Sequence, residues 1–335
     1  MMAELPVLVA AFLVALLTGF AMRRAGLIDQ PNHRSSHTAP TPRGGGLGVM
    51  AGVFAALVLL PAGLDAMPIA AIVVTGALAA GIGLADDVWV LPESLKFIAL
   101  LALALAVSAL AGPVTDIGIP LPWWLGLSGS ALFVFTTVNA VNFMDGSDGL
   151  MAGALAIASI GLGLMAEGVL GWTAFAMAAA WLGFAVFNAP LLGARGSVFA
   201  GDVGALGGAM LFSGLALYWA SGAGPAAAWL AALLLLPFLG DVLLTMAARA
   251  RARRHLFKPH RAHAYQLLIR MGASHRQVAL IWCGLSAAAA GLSVWGFNLE
   301  APGRIGVFWL GVAGFVIFHQ WVRRRAKARG LDVTQ

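Results

Sequence analysis

The chain has 335 residues, of which 61% are hydrophobic and only 10% are charged. Soluble domains carry roughly 45–50% apolar and about 25% charged residues, so this composition excludes an ordinary water-soluble protein and predicts an integral membrane protein. The formal net charge of +6 is explained by basic loop residues that set the orientation in the membrane and contact anionic lipids. No nucleic-acid partner is expected.

Eleven apolar segments follow one another along the chain. Each approaches the length of about 20 residues that a helix needs to cross a bilayer, and backbone groups in lipid must be satisfied internally. The predicted fold class is therefore an all-α integral membrane protein with about eleven transmembrane helices. The segments are placed at 5–22, 47–64, 68–85, 94–111, 121–141, 149–166, 170–190, 203–220, 225–247, 277–297 and 303–321.

The basic residues predict the orientation. No Lys or Arg precedes the first segment, whereas Arg23, Arg24, Arg34 and Arg43 follow it. Since basic residues favour cytoplasmic loops, we expect the N-terminus outside and the C-terminus in the cytoplasm. With strict alternation, Arg304 is the only one of the 20 Lys and Arg residues near the outer side. The odd-numbered connections, which carry most of the remaining motifs, then share the cytoplasmic face.

No linker, low-complexity tract or clear repeat divides the chain. Residues 1–325 are predicted to form a single membrane domain, and 326–335 a basic cytoplasmic tail. The only cysteine, Cys283, lies in the tenth segment, so an intramolecular disulfide is excluded. The first segment lacks the basic start and the small-residue cleavage site of a signal peptide and is expected to remain a span.

The first cytoplasmic connection ends in the run Pro42-Arg43-Gly44-Gly45-Gly46. Glycines before a helix let backbone N–H groups approach a phosphate, so Arg43 and Gly45 are candidate substrate-binding residues. The alternative is a turn-rich loop whose basic residues only hold topology.

The next cytoplasmic connection places two adjacent acids, Asp86 and Asp87, at the end of an apolar segment, with Lys96 following them. Adjacent carboxylates repel each other and are costly to bury unless a cation compensates. A metal ion, Lys96 or a cationic substrate group would do so. The alternative is a pair of solvated loop acids.

The densest polar cluster follows the fifth segment. Asn139 and Asn142 are three residues apart on one helix face, and Asp145 and Asp148 repeat that spacing around a glycine. Asp148 before Gly149 also fits a helix N-cap. Because capping explains neither the two Asn residues nor the second Asp, a functional site is predicted here.

Asp202 lies between Gly201 and Gly204 at the start of the eighth segment. Glycine neighbours permit close approach of the backbone to a ligand. A lone Asp at a helix start is also a common cap, and both interpretations are kept.

The long loop 248–276 carries His260, Arg261 and His263, which would form a compact cationic or hydrogen-bonding group. Zinc is a weak alternative, since two His residues are too few ligands.

Two ionisable residues fall inside apolar segments. Asp241 lies in the ninth segment, where an acid is usually functional or paired, and Arg249 is the candidate partner. His319 in the last segment is interpreted as a helix-end histidine near the lipid headgroups.

In this order, the motifs resemble those of the polyprenyl-phosphate N-acetylhexosamine-1-phosphate transferases. The resemblance covers about residues 1–325, and its His260-Arg261-x-His263 loop is similar to that of the O-antigen-initiating undecaprenyl-phosphate branch. The enzyme that makes lipid I of peptidoglycan typically has three consecutive His residues here, and this function is kept as the alternative. Ala205 and Leu206 also depart from the usual pattern. The matching motifs are Asn32-x-Arg34-Ser35-x-His37, Pro42-Arg43-Gly44-Gly45-Gly46, Asp86-Asp87, Asn139-x-x-Asn142-Phe143-x-Asp145-Gly146-x-Asp148-Gly149-Leu150, Gly201-Asp202-x-Gly204 and His260-Arg261-x-His263.

The resemblance implies an enzyme of the bacterial inner membrane that uses a UDP-linked N-acetylated sugar and undecaprenyl phosphate and releases UMP. Asp202 is the expected main ligand of Mg2+, with Mn2+ as the alternative ion, and Asp87 the second ligand. Asp86 is the candidate for activating the lipid phosphate. The sugar, the lipid length and a homodimer are left open. The remaining expected roles are the nucleotide and metal shell for Asn139, Asn142, Asp145 and Asp148, and diphosphate and sugar binding for Lys96, His260, Arg261 and His263.

Two other classes were weighed. The CDP-alcohol phosphatidyltransferase motif begins like Asp145-x-x-Asp148-Gly149, but Gly153 replaces its Arg and no Asp follows until Asp202. A transporter would place acids near the bilayer midplane, whereas here only Asp241 lies inside a segment.

Overall fold

The computed structural model describes residues 5–25, 28–30, 40–60, 66–190, 195–256 and 260–334. Within these residues the chain is almost entirely helical, which confirms the predicted all-α membrane fold. One two-residue antiparallel pair joins β1 (Ile28–Asp29) and β2 (Thr41–Pro42). The helices are α1 Leu5–Ala25, α2 Gly46–Val58, α3 Met67–Trp89, α4 Glu93–Ala111, α5 Trp123–Met144, α6 Leu150–Met165, α7 Gly168–Asn188, α8 Gly201–Gly222, α9 Ala227–Leu234, α10 Leu236–Arg251, α11 Ala264–Arg270, α12 His275–Phe297 and α13 Ala301–Ala328.

Eight of the described helices are long and apolar enough to cross a membrane, while α2 and α6 are shorter apolar helices. The ninth predicted segment is not straight, because α9 and α10 meet at an angle of 80°. Pro237 in the first turn of α10 has no backbone N–H to continue the helical ladder through the break. Every predicted segment contains a helix, and the count of eleven crossings and their orientation remain predictions.

Helix α8 lies almost entirely inside the protein and packs closely along α3. Glycines allow this approach, since a Cβ added at Gly83 would lie 2.4 Å from the Asp202 backbone, and one at Gly207 would lie 2.6 Å from Ala80. The pairing aligns the C-terminal end of α3 with the N-terminal end of α8. It therefore brings Asp86 and Asp87 beside Asp202.

The end of α13 crosses the predicted boundary between the domain and its tail. The helix continues to Ala328, and Leu331 and Val333 then pack against the apolar core. Arg254 forms an ion pair with Asp332 at 3.2 Å, and Arg270 donates to the Asp332 carbonyl at 3.0 Å. Residues 329–334 are therefore tied to α10 and α11.

Candidate active site

A row of alternating charges lies where α3, α4 and α8 meet. Lys96 Nζ is 2.6 Å from Asp86 Oδ2 and 2.9 Å from Asp202 Oδ2, so one ammonium bridges two carboxylates. The other oxygen of Asp86 accepts a hydrogen bond from the Leu91 amide at 2.8 Å. Sequence positions 86, 96 and 202 thus meet in one place, as predicted from their shared face.

Asp87 is more deeply set than Asp86 and is 8% exposed. Its Oδ1 lies 3.3 Å from Arg43 Nη1, and Arg43 also donates to the Asp87 backbone carbonyl. Its Oδ2 faces the start of α8, where the Val203 amide is 3.5 Å away. Arg43, predicted to bind substrate, therefore already compensates one carboxylate of the cluster.

Asp145 adds a further carboxyl group to this cluster. It follows α5 and is half-buried. Burial, followed by repulsion from the carboxylates of Asp202, Asp87 and Asp148, raises the pKa of Asp145 to about 8. Asp145 is therefore a buried carboxyl group with three other acids near it, and a cation placed there would favour its ionised form.

Asp148 is buried and supports the surrounding loops. Its Oδ2 accepts from the Gly196 amide at 2.9 Å, and its own amide donates to His275 Nδ1 at 3.2 Å. The N-cap position of α6 is Gly149, at φ 77°, so Asp148 is not the cap that the alternative interpretation required. Its carboxylate instead links the end of α5 to the loop before α8.

Two residues of this support were missed by sequence reasoning. Buried Asn188, at the end of α7, accepts from the Gly149 amide at 3.0 Å and donates to the Val198 carbonyl at 3.1 Å. His275, at the start of α12, accepts through Nδ1 from the Asp148 amide. Neither lies in a recognisable motif, and only the tertiary contacts reveal them.

Asn139 and Asn142 lie in the last two turns of α5, as predicted. Asn139 Nδ2 donates to the Phe135 carbonyl of its own helix at 2.8 Å. The Asn142 carbonyl accepts from the Asp145 amide at 3.3 Å and so shapes the turn that presents Asp145. Their predicted contact with nucleotide stays a prediction.

The glycines before α2 serve a different purpose from the predicted one. The amides of Gly45 and Gly46 donate to the carbonyls of Phe199 and Ala200 at 3.0 and 3.1 Å. A Cβ at Gly46 would lie 2.1 Å from the Gly204 Cα. The geometry does not support these amides as phosphate donors and instead assigns the glycines to close packing of α2 against α8. The neighbouring motif at Asn32, Arg34, Ser35 and His37 lies outside the described residues.

The His260-Arg261-x-His263 segment leads into α11. The rings of His260 and His263 are 4.9 Å apart, and His263 stacks on Tyr265 with ring centroids 6.1 Å apart. Burial, with added repulsion from His263 and Arg249, lowers the pKa of His260 to about 4. His260 is therefore a neutral hydrogen-bonding group at neutral pH, and only the exposed Arg261 brings a permanent charge to the segment.

Tyr265 connects this segment to the carboxylate cluster. Its hydroxyl donates to the Phe143 carbonyl at 3.3 Å, and a Cβ added at Gly146 would lie 2.2 Å from that hydroxyl. The histidine segment and the turn that carries Asp145 are thus in direct contact through one aromatic side chain.

Asp241 has different partners from those expected. Arg249 donates to the carbonyls of His255 and Thr334. Asp241 is instead 3.6 Å from both His263 Nδ1 and His319 Nε2. His319 is 1% exposed, so the interpretation of it as a headgroup histidine was wrong. The position of Asp241 inside an apolar segment correctly predicted that it is paired. Its partners, however, lie in α13 and in the segment before α11, and not at Arg249.

A cleft opens beside Asp148. It is formed where the loop before α2 meets the loop before α8. Its walls combine backbone polar groups, one acid, one Arg and one aromatic ring, which is a surface suited to a polar organic ligand. The lining residues are Pro40, Thr41, Pro42, Asp148, Arg195, Gly196, Ser197 and Phe199.

The donor set was tested for a metal. Within the described part of the chain, no three His, Cys, Asp or Glu side chains already form a ligand cluster. Mg2+, however, is usually held by one or two carboxylates, with waters and substrate phosphates as its other ligands. Asp202 and Asp87 on adjoining helices, with Asp145 nearby, supply such oxygens and an excess of negative charge. The residues therefore fit Mg2+ bound together with a phosphate substrate.

The profile of glycosyl transferase family 4 matches residues 69–220, which contain the Asp86, Asp145 and Asp202 motifs. A decaprenyl-phosphate N-acetylglucosaminephosphotransferase of Mycobacterium tuberculosis is 33% identical, over 95% of this chain and 88% of the relative. The chain belongs to glycosyltransferase family 4 and is therefore a transferase.

More distant relatives carry related names. An undecaprenyl-phosphate alpha-N-acetylglucosaminyl 1-phosphate transferase of Yersinia pestis is 26% identical, over 95% of this chain and 91% of that protein. A probable undecaprenyl-phosphate N-acetylglucosaminyl 1-phosphate transferase of Bacillus subtilis is 25% identical, over 82% and 80%.

Proposed function

We propose that the protein transfers an N-acetylhexosamine-1-phosphate, with N-acetylglucosamine as the first candidate sugar, from a UDP-sugar to polyprenyl phosphate. The observation that carries this proposal is the meeting of Asp86, Asp87 and Asp202 with Lys96 and Arg43 at one end of the helices. The names of the relatives support the same acceptor and sugar.

The reaction is a phosphoryl transfer. An oxygen of the lipid phosphate forms a bond to the sugar-side phosphorus of the UDP-sugar. The bond from that phosphorus to the bridging oxygen breaks, and UMP leaves with the electron pair. The products are polyprenyl-diphosphate-sugar and UMP, and the protein's task is to position two anions and neutralise their charge.

Lys96 and Arg43 are the groups placed to meet the phosphates. Both hold carboxylates in the described structure and remain partly exposed, so each retains N–H groups for a phosphate oxygen. A phosphate monoester has a second pKa near 6 and is mostly dianionic at neutral pH. Asp86, predicted to activate the lipid phosphate, therefore has little proton to remove and serves mainly to orient Lys96.

The cleft beside Asp148 is proposed to hold the nucleotide part of the donor. Arg195 contributes positive charge and Phe199 an aromatic ring to its wall. The contact of Tyr265 with the Phe143–Gly146 turn places the histidine segment near Asp145. Arg261 and His263 are accordingly proposed to act on the donor diphosphate and sugar.

Asp202 and Asp87 are proposed to hold Mg2+, with Mn2+ as a substitute and Asp145 close by. When bound, the ion neutralises charge on the donor phosphates and on the departing UMP. Arg43 and Lys96 already neutralise part of the carboxylate charge. This reduces the electrostatic repulsion among the neighbouring carboxylates. Asp145, whose pKa is raised to about 8, would hold a proton at neutral pH without the ion and would become negatively charged beside it.

The site is proposed to face the cytoplasm at the bacterial inner membrane, where the soluble donor and the lipid acceptor meet. This orientation follows from the distribution of Lys and Arg. The product would start a lipid-linked surface glycan such as O-antigen. Peptidoglycan lipid I synthesis is less favoured, since the relatives' names specify N-acetylglucosamine.

The experiment is UMP release by purified protein with Mg2+ and undecaprenyl or decaprenyl phosphate, across a panel of UDP-N-acetylated sugars and UDP-muramoyl-pentapeptide. The proposal expects lipid-dependent UMP release with at least one N-acetylhexosamine donor, and UDP-N-acetylglucosamine is tested first. Release only with the muramoyl donor would establish the peptidoglycan alternative. No release with any donor and either lipid would contradict the proposal.

A further inference from the structure

Asp241 is a fully buried carboxylate in α10, away from the row of charges formed by Asp86, Lys96 and Asp202. Burying a lone carboxylate costs several kcal/mol unless hydrogen bonds and opposite charges compensate it. The groups that compensate the Asp241 carboxylate therefore show which parts of the chain it holds together.

The contacts of Asp241 converge on the start of α11. Its Oδ1 accepts from the Ala264 amide at 2.8 Å and its Oδ2 from the Tyr265 amide at 3.3 Å. His263 Nδ1 lies 3.6 Å from Oδ1, beyond hydrogen-bond distance but within ion-pair range. One carboxylate thus fixes the backbone of the first turn of α11 and faces the imidazole that precedes it.

Two other helix residues also contact the Asp241 carboxylate. Thr245, one turn along α10, donates to Asp241 Oδ1 at 3.1 Å. His319 in α13 places Nε2 3.6 Å from the same oxygen and 3.3 Å from the Thr245 hydroxyl. Asp241 is therefore held from α10 and α13, and it holds the start of α11 in turn.

We propose that Asp241, braced by Thr245 and His319, is a positioning residue that fixes the His260-Arg261-Ala262-His263 segment against the turn carrying Asp145. His263 Nδ1 lies 3.6 Å from the Asp241 carboxylate, and the His263 ring stacks on Tyr265. The Tyr265 amide donates to Asp241, and the Tyr265 hydroxyl donates to the Phe143 carbonyl. Tyr265 therefore links Asp241 to the turn that carries Asp145. This inference rests on the proposed function for its substrate and concerns which residues orient the donor-binding segment.

The test is a double-mutant cycle of Asp241→Asn and His263→Ala in the UMP-release assay. If Asp241 acts through His263, Asp241→Asn raises the donor KM by about tenfold, leaves the acceptor KM within about twofold, and adds little to His263→Ala. The proposal would be overturned if the effects of the two substitutions on the donor KM multiplied in the double variant, or if donor and acceptor KM rose equally.

Because removing a buried charge threatens folding, His319→Gln is the milder second variant, since its amide keeps a donor for Asp241. It should show the same split between donor and acceptor KM at smaller size. Asp116→Asn, at a partly exposed acid remote in sequence from the cluster, is the matched control and should leave both KM values unchanged. A His319→Gln enzyme that loses acceptor affinity first would contradict the positioning role.

A second measurement keeps this inference separate from the proposed function. Trypsin cleavage after exposed Arg261 is compared with cleavage after exposed Arg276 in α12. Asp241→Asn should accelerate the first cut several-fold relative to the second, whether or not wild-type protein releases UMP. Equal acceleration at both positions would overturn the positioning role, while an inactive wild-type enzyme with selective cleavage would overturn only the substrate assignment.

Discussion

Two groups of acids lie in this protein, and they differ in how their charge is balanced. Asp86, Asp145 and Asp202 are partly exposed and Asp87 is buried, and the four acids outnumber the two cations between them. Burial and the neighbouring carboxylates raise the pKa of Asp145 to about 8. Asp241 is fully buried, with two amides, a hydroxyl and two imidazoles around it. The first group is arranged to receive further positive charge, whereas the second is already complete.

The largest expected effect is on catalysis by the open group. Asp202→Asn keeps the size of the side chain and removes the charge, and it should lower kcat/KM for UMP release by about 100-fold or more, as when a group that stabilises transition-state charge is removed. Asp202 makes no side-chain capping bond, and Ala200 is the N-cap of α8. A folded Asp202→Asn enzyme with near-normal UMP release would show that the charge is dispensable.

The two groups should also differ in how much they contribute to stability. Asp241→Asn leaves buried donors facing an amide and should lower the free energy of unfolding by about 3 kcal/mol, the order for breaking a buried charged contact. Asp202→Asn removes a charge from a repelling group and should leave thermal stability in detergent near that of wild type. Equal losses in the two variants would remove the distinction between an open and a closed group.

Packing at the glycines gives a smaller effect. Gly46→Ala would place a Cβ 2.1 Å from the Gly204 Cα and should destabilise the protein by about 1–3 kcal/mol through overpacking. Gly81→Ala, where no atom lies within 4 Å of the added Cβ, is the matched control. An increased donor KM at unchanged melting temperature in Gly46→Ala would restore the predicted phosphate role of these amides.

The smallest effect is a pH dependence in EDTA without substrate. Asp145 keeps its proton to about pH 8 when folded and loses it near its ordinary value of 3.8 when unfolded. Unfolding then releases a proton in this window, so the contribution of Asp145 to stability falls as pH rises from about 4 to about 8. The melting temperature of Asp145→Asn should match wild type near pH 4, exceed it increasingly up to about pH 8, and exceed it by a constant margin above that. A difference in melting temperature that does not change with pH would show that folding does not raise the pKa of Asp145.

The sequence predicted the open group well because a simple rule of connectivity applies. Helical segments that alternate across a bilayer return every second connection to one face, and this rule brought Asp86, Lys96 and Asp202 together. Charged residues at the ends of apolar segments can be identified from the sequence alone. The rule says nothing about which acid pairs with which cation, and the Arg43–Asp87 contact came only from the structure.

The closed group was only partly predictable. Asp241 was marked by its position inside an apolar segment, but Arg249 on the same helix was the wrong partner, because His263 and His319 reach it from distant parts of the chain. The bend between α9 and α10 and the packing of Gly46 on Gly204 likewise depend on neighbours that periodicity does not report. Local patterns identify polar residues under constraint, while tertiary packing decides what constrains them.

The open group, and not the closed one, is proposed to bind a divalent cation together with the donor. Mn2+ binding measured by electron paramagnetic resonance, in the presence of UDP-N-acetylglucosamine and without lipid, tests it directly in wild type, Asp202→Asn and Asp241→Asn. A protein-dependent Mn2+ site present in wild type and Asp241→Asn but lost in Asp202→Asn is the predicted result. Undiminished Mn2+ binding by Asp202→Asn, or its loss only in folded Asp241→Asn, would contradict the account.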